Sequence, residues 1–121
     1  MECKELVSKW FQSWEAGEYR RIPVAVHFKH TSPYGTILGK GPYLSLVEAN
    51  KDKFLGNHIE IHDEMYDQNK ACVRYTITNT KGDFTMEVSE WFYVGEHSIQ
   101  QVISYYNIEG EISEARRLSG L

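Results

Sequence analysis

Residues 84–94 read Phe84-Thr85-Met86-Glu87-Val88-Ser89-Glu90-Trp91-Phe92-Tyr93-Val94, and their period decides the fold. Successive side chains of a strand point to opposite faces. Phe84, Met86, Val88, Glu90, Phe92 and Val94 therefore share one face, five apolar groups interrupted by a single carboxyl. Alternation of this length marks a strand with one buried side. Three further β-like runs surround it, His58–Tyr66 and Ala71–Asn79 before it and Ser98–Ile108 after it. The links between them are short and polar, among them Asp67-Gln68-Asn69 and Lys81-Gly82-Asp83, which predicts an antiparallel meander.

Upstream the period changes to that of a helix. Leu6, Trp10, Ser13 and Trp14 recur at helical spacing, Val7 and Phe11 widen the stripe, and Gly17 supplies a C-terminal stop. Tyr19, Ile22 and Val26 predict a second, short helix with Pro23 in its first turn. Phe28 to Thr31 reads as extended, and Ser32-Pro33-Tyr34-Gly35 as a turn. A third helix follows, with Pro42 at its first position, Tyr43, Leu46, Val47, Asn50 and Phe54 on one face, and Gly56 just beyond its end. Helices first and a long-stranded sheet afterwards is the α+β order: three N-terminal helices packed on a strongly curved, mainly antiparallel sheet.

A chain of 121 residues has room for one core, and residues 1–121 are read as a single domain. Hydrophobic residues at 41% and charged residues at 25% are those of a globular protein. With 13 Lys+Arg against 17 Asp+Glu, net −4, and no basic stripe, no nucleic acid partner is expected. No apolar run approaches the roughly 20 residues that span a bilayer, and Met1-Glu2-Cys3-Lys4-Glu5 lacks the order of a signal peptide. A cytoplasmic location without membrane contact is the expectation. Cys3 and Cys72 form neither a metal-ligand spacing nor a disulfide framework. His58 and His62 have a spacing that joins ligands only on a helix; on a strand they stand about 13 Å apart. Together with His27 and His97 they show no zinc pattern. Neither a metal nor any other cofactor is expected.

Chemistry concentrates on two residues. An ionised carboxylate is costly to bury, so Glu90 is expected to hold a hydrogen-bonding partner or to titrate high, as general acids and hydrogen-bond donors do. The competing reading places it at a strand end, reaching water or capping a neighbour. His30, on one face with Phe28 and Ser32 if residues 28–32 are extended, carries a side chain suited to a general base because histidine titrates near neutrality. A structural role is its alternative, and for Ser32 a turn hydrogen bond. Trp10, Trp14, Ser32, Tyr34, Tyr75 and Tyr106, with Met86, Val88 and Phe92 from the central strand, are candidate ligand-binding residues for a small, largely apolar molecule. Trp91 and Tyr93 face the other way, and Tyr105 joins them. A patch of that kind predicts a homodimer through the outer sheet face.

The order helix, helix, Ser32-Pro33-Tyr34-Gly35 turn, Gly39, helix, then strands ending in Glu90-Trp91-Phe92-Tyr93-Val94 and Ile99 resembles the SnoaL-like, or nuclear-transport-factor-like, superfamily along almost the whole chain. The resemblance implies a cone with an internal pocket. It spans cyclases, isomerases, dehydratases, epoxide hydrolases and non-catalytic members, so it implies fold far more than activity. Against the ketosteroid isomerases, Trp10 falls where they have an oxyanion-binding tyrosine, Ser32 where they have the aspartate base, and Glu90 at or near their protonated aspartic acid. Two of three positions depart, which argues against steroid isomerisation. A cofactor-independent isomerase, cyclase or dehydratase, with His30 as base and Glu90 as acid or oxyanion donor, is one implied function. A non-catalytic ligand-binding or dimerisation module is the other. An epoxide hydrolase would need an inward arginine, and alternation with Val73 and Tyr75 turns Arg74 outward.

Overall fold

A computed structural model describes residues 2–79 and 85–107. Helix α1 spans Cys3–Ala16 and a 3-10 turn Tyr19–Arg21; strand β1 covers Val24–Ser32 and β2 Gly35–Leu38. Helices α2 (Lys40–Ala49) and α3 (Lys51–Phe54) follow, then β3 (His58–Tyr66), β4 (Lys70–Thr78), β5 (Thr85–Val94) and β6 (Ile99–Tyr105). The six strands form one sheet in the order β2-β1-β6-β5-β4-β3. The β3-β4-β5-β6 meander is antiparallel as expected, while β1 returns parallel to β6. Phe84, Ile108 and the Lys81-Gly82-Asp83 turn lie outside the described residues.

Helix α1 forms where its stripe predicts it. Leu6, Val7, Trp10 and Phe11 are buried, and Trp14 is half-buried. Gly17 ends the helix at φ 75°, donating its N–H to the Trp14 carbonyl, a left-handed conformation that glycine adopts without steric cost.

The predicted second helix is the main correction. Only Tyr19–Arg21 turn, as a 3-10 helix, and Val26 belongs to β1. Between Val24 and Lys29, β1 advances five residues while β6 advances only from Ile99 to Gln101. The surplus bulges outward and leaves Val26 73% exposed between buried Val24 and Phe28. The bulge breaks the period of two, and what remains on the page of the sequence is a helix-like spacing. Two strands also precede α2, so the helices are not gathered at the N-terminus. The predicted third helix bends into two pieces at Asn50 (φ −120°, ψ 26°), whose side-chain amide donates back to the Leu46 carbonyl at 2.9 Å. Such a local bond competes with continuation of the helix. Tyr43 and Val47 are its buried contacts, and Phe54 is exposed.

Helices α1 and α2 cover the sheet with an aromatic core. The Trp10 ring meets Phe92 edge-on at 5.6 Å and stacks on Tyr43 at 6.3 Å; Phe28 meets Tyr43 at 4.9 Å, and Phe11 meets Tyr75 at 4.9 Å.

Candidate functional site

Strand β5 buries Val88, Glu90, Phe92 and Val94 and half-buries Met86, as its alternation requires. In the register of the sheet, Glu90 lies opposite Val73 on β4 and Ser104 on β6. Its carboxyl is not a strand-end group reaching water, being 4% exposed. The Tyr75 hydroxyl donates to Oε1 at 2.8 Å and the Ser104 hydroxyl to Oε2 at 2.5 Å. The Trp10 side chain supplies a third hydrogen bond. These donors favour the carboxylate, yet burial outweighs them and pushes Glu90 up to about 7. Burial and the facing Glu90 also raise Tyr43 and Tyr75 well above the ordinary tyrosine range, so both remain protonated donors.

His30 sits on the neighbouring strand β1, opposite Val102 of β6. Its Nε2 lies 3.3 Å from Ser104 Oγ, and its ring packs against Tyr43 at 4.9 Å with a 31° tilt. Burial lowers it from the usual histidine range to about 4. Histidine and glutamate are thus joined through one serine hydroxyl.

The remaining predicted residues fall into two groups. Trp10, Tyr75, Val88 and Phe92 are buried around Glu90 and the aromatic core, with Met86 half-buried against it. Trp14 packs edge-on against Trp10 at 5.6 Å, and its buried indole nitrogen finds no partner among the described residues. Ser32, Tyr34 and Tyr106 make a second group at the β1–β2 turn. Ser32 Oγ accepts the Tyr34 N–H at 3.2 Å, its turn role, and also bonds the Tyr106 hydroxyl. The Tyr34 and Tyr106 rings are 6.3 Å apart, and Tyr106 feels the charge of Glu90.

Ser104 and Tyr43 were not among the predicted site residues. Val102, Ser104 and Tyr106 alternate on β6 and its end just as the β5 series does, and that period is the signal that could have found Ser104. For Tyr43, helix phase gave burial but not its neighbour.

On the outer face Trp91 is 40% and Tyr105 57% exposed, while Tyr93 is half-buried under Lys70. Arg74 also points outward and pairs with Asp63 at 2.8 Å. His58 lies by Glu15, and His62 bonds Thr76 at 2.6 Å. Among the described residues no three metal-ligating side chains gather, and no helix is long and apolar enough to cross a membrane. An open groove of about 940 Å³ runs between Cys3, Tyr66, Asn69, Val94 and His97, and a smaller one of about 380 Å³ lies beside Tyr19, Leu44 and Glu48. Glu90 and His30 line neither.

No protein-family model and no curated protein matches the sequence. Solved structures do match. An NTF2-like protein of unknown function from Cytophaga hutchinsonii superposes with a TM-score of 0.73 at 18% identity, covering 86% of this chain and 88% of its own. A candidate ketosteroid isomerase from Kribbella flavida gives 0.72 at 16%, covering 93% and 82%. A candidate isomerase of the SnoaL-like family from Agrobacterium tumefaciens gives 0.70 at 14%, covering 86% and 96%. The chain therefore has the NTF2-like fold that these ketosteroid-isomerase-like and SnoaL-like proteins share.

Proposed function

We propose that the helices and a curved sheet enclose a cone-shaped pocket for a small, largely apolar carbonyl compound, and that the protein moves a proton next to that carbonyl as a cofactor-independent isomerase, cyclase or dehydratase. The observation that carries this reading is the buried Glu90 carboxyl, pushed up to about 7 and linked through Ser104 to His30. A carboxyl titrating near neutrality can hold or release a proton at working pH. Both oxygens of Glu90 are engaged by Tyr75 and Ser104, so His30, the more accessible of the pair, meets the ligand and Glu90 stands behind it. Tyr34 and Tyr106 at the β1–β2 turn are the hydroxyls for the carbonyl oxygen. The neighbours of the same fold described as isomerases support the class of reaction by analogy.

The test is exchange of substrate α-hydrogens with deuterated water, followed by NMR over a panel of small carbonyl compounds. His30→Gln is expected to lower exchange about 10²–10⁴-fold, the usual contribution of a general acid or base, in a protein that still melts cooperatively. Undiminished exchange removes His30 from the mechanism.

A second reading, a non-catalytic member of the fold, is favoured by the completeness of the polar cluster and by the aromatic packing of Trp10, Phe28, Tyr43 and Phe92 around it. In that case no compound exchanges, and Ser104→Ala costs stability of about 1–3 kcal/mol through the hydrogen bond it deletes. In either reading the outer sheet face joins two copies into a homodimer. Met65, Cys72, Trp91 and Ile103 stand opposite one another across β3, β4, β5 and β6, a transverse row in which Met65 is 67% exposed.

A further inference from the structure

We propose that Ser104 is a positioning residue that makes His30 and Glu90 a single proton-holding unit, in which a proton taken at His30 Nδ1 comes to rest on the Glu90 carboxyl. The inference rests on the proton-transfer reading above and deepens it. His30 alone is a weak base, because an imidazolium in this setting has lost its hydration and gains no facing carboxylate in direct contact. Among the described residues its side-chain hydrogen-bond partner is the Ser104 hydroxyl at 3.3 Å, and that hydroxyl is also 2.5 Å from Glu90 Oε2. A hydroxyl has one proton to give and lone pairs to accept with, so its two contacts must run in the same direction.

Two balanced states follow. With Glu90 ionised, Ser104 donates to Oε2 and accepts from His30 Nε2–H, leaving the Nδ1 lone pair open. When Nδ1 receives a proton, the Nε2–H bond breaks toward Ser104 Oγ while the Ser104 O–H bond breaks toward Oε2. Glu90 is then the neutral acid and donates to Ser104, which donates to Nε2. His30 is neutral before and after, with its proton moved from Nε2 to Nδ1. The unit has gained one proton, and no charge is left on the imidazole. The opposite directions in which burial drives the two groups, His30 down and Glu90 up, agree with the proton resting on the carboxyl.

The groups facing this unit are Trp10 from α1, Tyr43 from α2, Tyr75 from β4 and Tyr106 beyond β6. The three tyrosines titrate far above the pH range concerned and stay protonated through it.

The experiment is a pH titration of the ligand-free protein by NMR, with ¹⁵N-histidine reporting the His30 tautomer and ¹³C-glutamate reporting Glu90. The tautomer is expected to switch from Nε2–H to Nδ1–H as the pH falls, with the same midpoint as the Glu90 carboxyl. In Ser104→Ala the carboxyl still titrates but the tautomer no longer follows it, and Ser104→Thr, which keeps the hydroxyl, restores the link. Glu90→Gln gives a tautomer independent of pH through that range. This variant decides the matter if Ser104→Ala fails to fold. A wild-type tautomer unchanged through the Glu90 titration, or one still coupled in Ser104→Ala, overturns the proposal. Intact coupling without exchange of any carbonyl compound sinks the catalytic reading instead, and exchange without coupling sinks only the relay.

Discussion

The Glu90 carboxyl is a balance of opposing effects at one residue. Three hydrogen bonds stabilise its charged form, and burial destabilises that form by more. Tyr75→Phe removes one of the three while leaving the ring packing, so the carboxyl midpoint is expected to move further up, read by ¹³C NMR; a downward move contradicts the balance. Stability should carry the signature of both residues. Between about 4.5 and 7 the native chain holds the Glu90 proton more tightly than the unfolded chain does, so this group makes stability fall as pH rises. His30, lowered from 6.5 to about 4, is protonated more readily when unfolded, and makes stability rise with pH across that interval. The slopes oppose where the windows overlap. His30→Gln is therefore expected to unmask a decline with pH, and Glu90→Gln a rise, each limited to about 1.4 kcal/mol per pH unit. Urea unfolding at pH 5 and 6.5 distinguishes them, and equal profiles for both variants contradict the assignment.

Elements succeeded or failed as sequence patterns according to whether their period was unbroken. The stripe of α1 and the alternation of β5 run without interruption, and both were legible. The bulge in β1 hid a strand behind the spacing of Ile22 and Val26, because the surplus residues shift side chains between faces without leaving a compositional trace. The two assignments differ in a measurable way. Val26, outward on the bulge, tolerates Val26→Ser within about 0.5 kcal/mol, whereas Phe28→Ala, in the buried core, costs about 3–5 kcal/mol. Denaturant midpoints at constant m-value provide the comparison; a Val26 as costly as Phe28 would place it inside.

For the molecule as a whole, the outer sheet face is the largest exposed apolar feature among the described residues, with Met65, Trp91 and Tyr105 open on it. Trp91 lies in the middle of the transverse row from Met65 to Ile103, flanked by Tyr93 and Tyr105. A two-fold interface buries such a patch on both copies at once. In the proposed homodimer, Trp91→Glu would set like charges near the symmetry axis and desolvate them. The wild type is expected to scatter light as a dimer at micromolar concentration and the variant to dissociate. A monomeric wild type, or a variant that remains dimeric, places the interface elsewhere.

By itself the sequence determined the α+β class, the meander, helix α1 and the inward direction of Glu90. Each of these depends on neighbours a few positions apart, and side-chain direction within one regular element follows from its period alone. It also determined that the carboxyl would need donors, since burial of charge is costly wherever it occurs. Which donors those are was decided only by the tertiary structure. Ser104 meets Glu90 through the register of β5 against β6, and His30 meets Ser104 across 74 positions of chain through the parallel pairing of β1 with β6. Tyr43 reaches His30 only because α2 docks across the sheet. Register and docking are set by the packing of the whole core, to which every strand and helix contributes, and no local period records them.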